Sequence, residues 1–351
     1  MTNKQSAKAV STVAFLTAAS QSHAANKRLN KLLADIKSDD AEVRFSAVQQ
    51  AGSVGAKAVL ELGKLLVSEN PGISKSSGEA LRVLVHSAAK NWDRKKRKNV
   101  MNALIKLTKK DQAKKTRIEA LRHLSTVGDA DATPTAAELL TDNALREEAV
   151  FCMERIPGKE STSALIKALK DAPKKFKPRI IAALGHRKDE LAKDTLVNEM
   201  GVYDTKISIP AMKAVASIGK QPEGDVTLPD FESLSNRDKL AYADSWLRYL
   251  DAQIQQGNIY DAEEALEKIL GYTQEEHIKC AIMFSLGKTG TSSAASIILP
   301  ELSNDSPKVQ HAAKEALISM KGSPVDEKLK NAVKTAEGKT KNLIQSIIEV
   351  R

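Results

Sequence analysis

Along most of the chain, small and apolar residues return at the three-to-four-residue spacing of a helix, in runs closed by polar turns. One arrangement recurs: a polar turn, an apolar residue, often Arg or Lys, then small or apolar residues at helical spacing, then Gly. It reads Asp39-Asp40-Ala41-Glu42-Val43-Arg44 through Ala47 and Ala51 to Gly52. It returns as Thr116-Arg117 with Ala120, Leu124 and Gly128, and as Asp142-Asn143-Ala144-Leu145-Arg146 with Ala149, Met153 and Gly158. Further copies begin at Pro178-Arg179, near Ile207, at Ile278-Lys279 and at Asp305-Ser306-Pro307-Lys308-Val309, closing at Gly185, Gly219, Gly287 and near Gly322; a weaker one starts at Asn70-Pro71-Gly72-Ile73.

The anchor positions 43, 73, 116, 145, 178, 207, 278 and 309 are separated by 30, 43, 29, 33, 29, 71 and 31 residues. A period of about thirty residues holds two helices of about 12 residues, each about 18 Å long. The Asp or Ser before each first helix suits a cap, Pro71, Pro178 and Pro307 suit first-turn positions, and the closing Gly suits a left-handed helix end. One such pair cannot bury its apolar face alone, but a stacked neighbour covers it, so the pattern predicts an array. The predicted class is all-α: an α-solenoid of antiparallel helix pairs wound as a right-handed superhelix.

The pattern D-x-x-V/L-R-x-x-A-x-x-x-L/A-G resembles the HEAT-like repeats first associated with phycobilin lyases. The stretch Leu145-Arg146-Glu147-Glu148-Ala149, Ile156-Pro157-Gly158, Ala164-Leu165 and Leu184-Gly185-His186-Arg187-Lys188-Asp189 is closer still to exported HEAT-repeat proteins of planctomycete-like and verrucomicrobial bacteria. The resemblance covers roughly residues 110–322. It implies the fold and an interaction scaffold, and is weak on further function.

The periodicity breaks over 221–236, where two prolines and four acids read as a loop. Residues 237–272 follow, where Leu240, Ala243, Leu247 and Leu250 precede Gln256-Gly257-Asn258-Ile259-Tyr260-Asp261-Ala262, a run that resembles a tetratricopeptide helix pair and fills the 71-residue interval. The predicted order is thus a leader over 1–24, a HEAT-like block over 25–220 with a basic insertion at 90–117, the loop, the tetratricopeptide-like pair, and a second HEAT-like block over 273–351. The leader rests on Lys4 and Lys8, the uncharged run Ala9 to Ser20, and Ser22-His23-Ala24 before Ala25. It predicts export to the periplasm or cell envelope, against a cytoplasmic alternative; the apolar run is too short to span a bilayer.

Composition adds one feature. The net charge of +10 is concentrated: from Lys90 to Ala120 twelve basic residues face three acids. Arg94, Lys95, Lys96, Arg97, Lys98, Lys109, Lys110, Lys114, Lys115 and Arg117 are therefore the candidate binding residues for an anionic partner. A protein partner fits best, an acidic polymer next, and nucleic acid less well, since Trp92 alone supplies an aromatic near the run.

The remaining chemistry is sparse. Cys152 and Cys280 read as two buried small hydrophobes with no ligand spacing, and none of the six histidines pairs with another at i+3 or i+4. Gly287-Lys288-Thr289-Gly290 lacks the upstream part of a phosphate loop and reads as a helix stop at Gly287. Acidic pairs at 147–148, 263–264 and 275–276 suit helix starts. The expectation is a non-enzymatic scaffold with no catalytic, cofactor-binding or metal residue. The alternatives are a cytoplasmic nucleic-acid-binding solenoid using 90–117 and a phycobilin-lyase-like enzyme or chaperone.

Overall fold

The computed structural model describes residues 23–90, 93–202, 204–219 and 235–351; most of the predicted leader (residues 1–22), most of the predicted 221–236 loop, and Trp92 lie outside these. The described residues are helical throughout, with short 3-10 turns and no β-strand. The chain divides into two compact units, Met1–Asp171 and Ala172–Arg351.

The first unit holds α1 (residues 23–36), α2 (Ala41–Gln50), α3 (Lys57–Leu65), α4 (Pro71–Lys90), α5 (Arg94–Leu107), α6 (Lys114–Val127), α7 (Thr133–Glu138), α8 (Arg146–Arg155) and α9 (Lys159–Asp171). The helices that carry the repeat anchors, α2, α4, α6 and α8, pack side by side as one layer, while α3, α5, α7 and α9 form the other. Leu62, Leu81, Leu84, Met101, Leu104, Leu121, Leu124, Leu145 and Met153 are sealed between the layers. The core is aliphatic, as thin helix-on-helix layers require.

The second unit holds α10 (Lys177–Arg187), α11 (Lys193–Met200), α12 (Thr205–Ile218), α13 (Asn236–Gln255), α14 (Ile259–Tyr272), α15 (Glu276–Thr289), α16 (Ser292–Ile298), α17 (Pro307–Ser319), α18 (Ser323–Thr335) and α19 (Gly338–Val350). Here α10, α12, α13, α15, α17 and α19 succeed one another in one layer, and α14, α16 and α18 in the other. The stretch read as tetratricopeptide-like forms α13 and α14, and α13 takes the place in the layer between α12 and α15. Gly257, at φ +90°, makes the turn between them.

Helix starts follow the sequence in part. The side chains of Asp40, Asp93, Asp204, Ser235 and Ser306 each accept a backbone N–H of the first turn. No such side chain caps α6, α10 or α15.

Helix ends differ from the expectation. Gly219 does end α12 in the left-handed region, but Gly128 lies at φ −65°, and Gly185 and Gly287 lie inside their helices. The left-handed residues that end α10 and α15 are Lys188 and Gly290. Gly185 and Gly287 are instead glycines of contact: a Cβ at Gly287 would stand 3.1 Å from the Cα of Ala316 on the next helix of the layer, and Gly185 meets Ala214 more tightly still. The same geometry moves one anchor. Buried Phe176, not Pro178, stands to Ile180, Ile181 and Leu184 as Ile278 stands to Ile282, Met283 and Leu286.

Candidate interaction surface

The basic segment is contiguous in sequence and divided in space. Arg94 opens α5 and Leu107 closes it, 14 residues that span about 20 Å. Arg94 to Lys98 therefore stand at one edge of the first unit, and Lys109, Lys110, Lys114, Lys115 and Arg117 at the other.

At the first edge the cations are largely absorbed by the chain. Arg97 donates from Nε to the carbonyl of Val127 (2.9 Å) and from Nη2 to that of Gly128 (3.2 Å), closing the C-terminal end of α6. Lys96 Nζ reaches the Gly52 carbonyl at 3.2 Å. Lys98 pairs with Asp131 at 2.9 Å, and the hydrogen bond it donates to that carboxylate raises its pKa. Only Arg94 and Lys95 are exposed without a side-chain partner among the described residues.

At the second edge the balance is reversed. Arg117 is the structural member: its Nε donates to the Thr108 carbonyl at 3.0 Å and its Nη2 lies 3.4 Å from Asp142 at the start of the next repeat. Arg44 does the same at α2, donating to the carbonyls of Ser38 and Asp39. The arginine of the repeat pattern thus braces the turn before its own helix. Lys115 Nζ donates to Ser74 Oγ at 2.8 Å, a neutral partner, and Ser74 Oγ in turn donates to the Leu66 carbonyl. Lys109, Lys110 and Lys114 are exposed with no ion pair among the described residues. The Lys115–Ser74 bond also brings in exposed Lys75, which the sequence reading left out; its position just after the Ile73 anchor is the signal that places it at this end.

The outer face of the anchor layer in each unit is a second kind of surface, laced by charge pairs. In the first unit Arg82 pairs with Glu79 (2.7 Å), Arg122 with Glu119 (3.0 Å) and with Glu148 on the next helix (3.2 Å), and Arg155 stacks over Phe151 at 4.5 Å. His123, 9% exposed, lies between α4 and α6. Burial, then the charges of His86, Arg82 and Arg122, lowers its pKa to about 4. In the second unit Asp244 bridges Lys213 and Arg248, each at 3.2 Å. Burial works against that carboxyl, but the hydrogen bonds from Arg248 and Lys213 outweigh it and hold its pKa below the usual value. Asp251 accepts from Lys288 Nζ (2.6 Å) and Ser285 Oγ (2.9 Å) on α15, so these two bonds, like Arg122–Glu148 and Lys213–Asp244, join consecutive helices of a layer. Phe45 on α2 in the first unit and Phe284 on α15 in the second are exposed, and nothing in the sequence pattern singles them out.

Two further expectations are corrected in detail. Cys152 is buried, but Cys280 is only half-buried on α15, because its position faces the layer's outer side. Glu147 and Glu148, and Glu276, do lie in first turns, whereas Glu263 is 2% exposed and accepts from Thr291 Oγ1 at 2.6 Å. Among the described residues no group of three His, Cys, Asp or Glu is placed to hold a metal, and no helix is long and apolar enough to cross a membrane.

A family model of HEAT repeats matches residues 101–175, from α5 to the turn before α10. No curated relative matches the chain by sequence. Among solved structures the chain is similar to an engineered protein at 18% identity, covering 92% of this chain and 98% of that one, with a TM-score of 0.41. It is similar to human deoxyhypusine hydroxylase in complex with glycerol at 15% identity, covering 72% and 95%, with a TM-score of 0.33. It also matches a homology model of the full-length AP-3 complex in an intermediate open conformation at 14% identity, covering 84% of this chain and 57% of that one, with a TM-score of 0.52. Identities this low speak to fold alone, and of the three only the last overlaps closely enough to bear on it. The chain is an all-α protein of the α-solenoid class, built of stacked helix pairs, and its segment 101–175 matches the HEAT repeats.

Proposed function

We propose that this protein is a non-enzymatic interaction scaffold, exported to the cell envelope, that holds a protein partner on the surface of its stacked helices. The observation that carries the reading is the outer face of the anchor layer in each unit. Consecutive helices are tied by paired charges, Arg122–Glu148 in the first unit and Lys213–Asp244 and Lys288–Asp251 in the second, and each layer carries an exposed aromatic, Phe45 in the first unit and Phe284 in the second. Aromatic residues within a charged, pre-ordered face are typical anchors for protein recognition. The HEAT-repeat match supports the same reading, since stacked repeats build extended binding surfaces. Export rests on the pattern of residues 1–24.

Site-specific photo-crosslinking in the native cell tests the reading. A photoreactive residue at 45 or 284 is expected to trap one discrete protein, whereas the exposed position 327 on α18 traps none. Equal smears or no adduct from all three positions refute the scaffold. Amino-terminal sequencing of the native protein tests export: an intact Met1 in the cytoplasmic fraction overturns it.

A further inference from the structure

We propose that the edge of the first unit where α4 begins, α5 ends and α6 begins docks an acidic, extended segment of a protein partner. The proposal rests on the scaffold reading above and names a second contact for it. Six lysines stand at this edge: Lys75, Lys106, Lys109, Lys110, Lys114 and Lys115, all exposed. None forms an ion pair among the described residues, and Lys115 spends its hydrogen bond on the neutral Ser74 hydroxyl. The acids near this edge are Asp142, which faces Arg117, Asp111, which accepts from the Gln112 amide at 3.0 Å, Glu69 before α4, and Asp39 and Asp40 before the neighbouring α2. Among the described residues none of them pairs with the six lysines, whose positive charge stands over the ends of α4, α5 and α6. The other end of α5 shows the contrast, with Lys96, Arg97 and Lys98 each held by the chain.

The size and chemistry of the edge select the occupant. Packed helices lie about 8–10 Å apart, and α4, α5 and α6 all touch one another, so their three ends make a compact patch about 10 Å on a side. An extended peptide crosses such a patch with about three residues at ~3.3 Å each, and the flexible lysine stems reach the residues on either side. Every unpaired cation is lysine, a point charge on a flexible stem, which answers to charge density rather than to one fixed fork of acceptors. The arginines of the repeat, with their fixed fork, are used inside the chain instead. Single-stranded nucleic acids bind through aromatic platforms as well as cations, and the stretches 66–75 and 105–117 contain no Phe, Tyr or Trp.

The test is fluorescence anisotropy of a labelled decaglutamate peptide with the full-length protein at low and at physiological salt. The wild type is expected to bind, more weakly at high salt. The variant Lys109→Glu/Lys110→Glu/Lys114→Glu is expected to lose at least about tenfold in affinity, and Arg94→Glu/Lys95→Glu at the opposite edge less than about threefold. Melting curves of both variants should match the wild type, because exposed surface changes stay within about 0.5 kcal/mol. Absence of peptide binding at low salt, or equal losses in the two variants, overturns the proposal. So does a random DNA duplex that binds about tenfold tighter than the peptide under the same salt. A crosslinked partner at position 45 or 284, together with failure here, removes this edge and leaves the scaffold; failure of both removes both.

Discussion

Gly185 on α10 and Ala214 on α12 leave no space between their helices: a Cβ built on Gly185 would stand 2.8 Å from both the Cα and the Cβ of Ala214. Because the obstacle includes backbone, the helices themselves would have to part. Gly185→Ala is therefore expected to destabilise the fold. Helix propensity favours alanine by about 1 kcal/mol, while overpacking against a fixed neighbour costs about 1–3 kcal/mol, so the net loss should be up to about 2 kcal/mol. Gly271, near the end of α14, meets nothing within 4 Å and has no positive φ. Gly271→Ala should gain up to about 1 kcal/mol. Urea unfolding of the two variants checks the pair, and a stabilised Gly185→Ala would disprove the close approach.

That contact also marks where the sequence was legible. Helix period, capping Asp and Ser, and the anchor spacing were visible because each is a local rule with a fixed offset. The role of Gly185 and Gly287 was not, since a glycine that ends a helix and one that admits a neighbour look the same in one dimension. The basic segment shows the same limit. Its charge was legible, but that Arg97 and Arg117 serve carbonyls while Lys109 and Lys110 face outward depends on where the next helix lies. Lys75 was missed because 41 residues separate Ser74 from the Lys115 that bonds it.

Arg97 and Arg94 should separate the bracing cations from the free ones. Arg97 supplies two hydrogen bonds to the last carbonyls around α6, and hydrogen bonds to a charged donor contribute about 1.5–3 kcal/mol. Arg97→Met keeps the length and loses the donors, so a loss of about 1–3 kcal/mol is expected. Arg94→Met, at an exposed position, should stay within about 0.5 kcal/mol. Thermal or urea melts decide it, and equal effects from the two would show that Arg97 braces nothing.

The two thiols should differ in reactivity by orders of magnitude. Cys152 is fully buried, and burial pushes its pKa to about 12. Cys280 is half-buried, with its pKa raised first by burial and then by Glu276. Since the thiolate is the reacting species, a disulfide reagent at pH 8 should modify Cys280 in the native protein and leave Cys152 intact until the fold opens. Mass spectrometry of the labelled peptides reads this out. Rapid native-state labelling of Cys152 would contradict the closed α6–α8 layer.

His123 breaks the rule of the slot it occupies. Seven residues beyond the anchors from Ile73 onward, with Phe176 as that of α10, the buried position reads Ala80, Cys152, Ala183, Ala214, Ser285 and Ala316, all small, but His123 on α6; on α2 the same position is the exposed Gln50. Its Nε2 has no hydrogen-bond partner among the described residues, and the charges that bear on it, His86 and Arg82 on α4 and Arg122 on α6, are all basic. The folded state thus holds it neutral down to about pH 4, while the unfolded chain binds its proton near pH 6.5. Between those values the unfolded state carries more protons, so stability rises with pH across the window. The contribution is fully present above about pH 6.5 and is lost as the pH falls toward 4, an effect of about 3 kcal/mol at 1.36 kcal/mol per unit. His123→Leu fills the slot without a titrating group, so its stability should fall less than the wild type's between pH 7 and pH 4. Urea midpoints at several pH values give the two curves, and parallel curves would show that His123 does not set the acid sensitivity of the first unit.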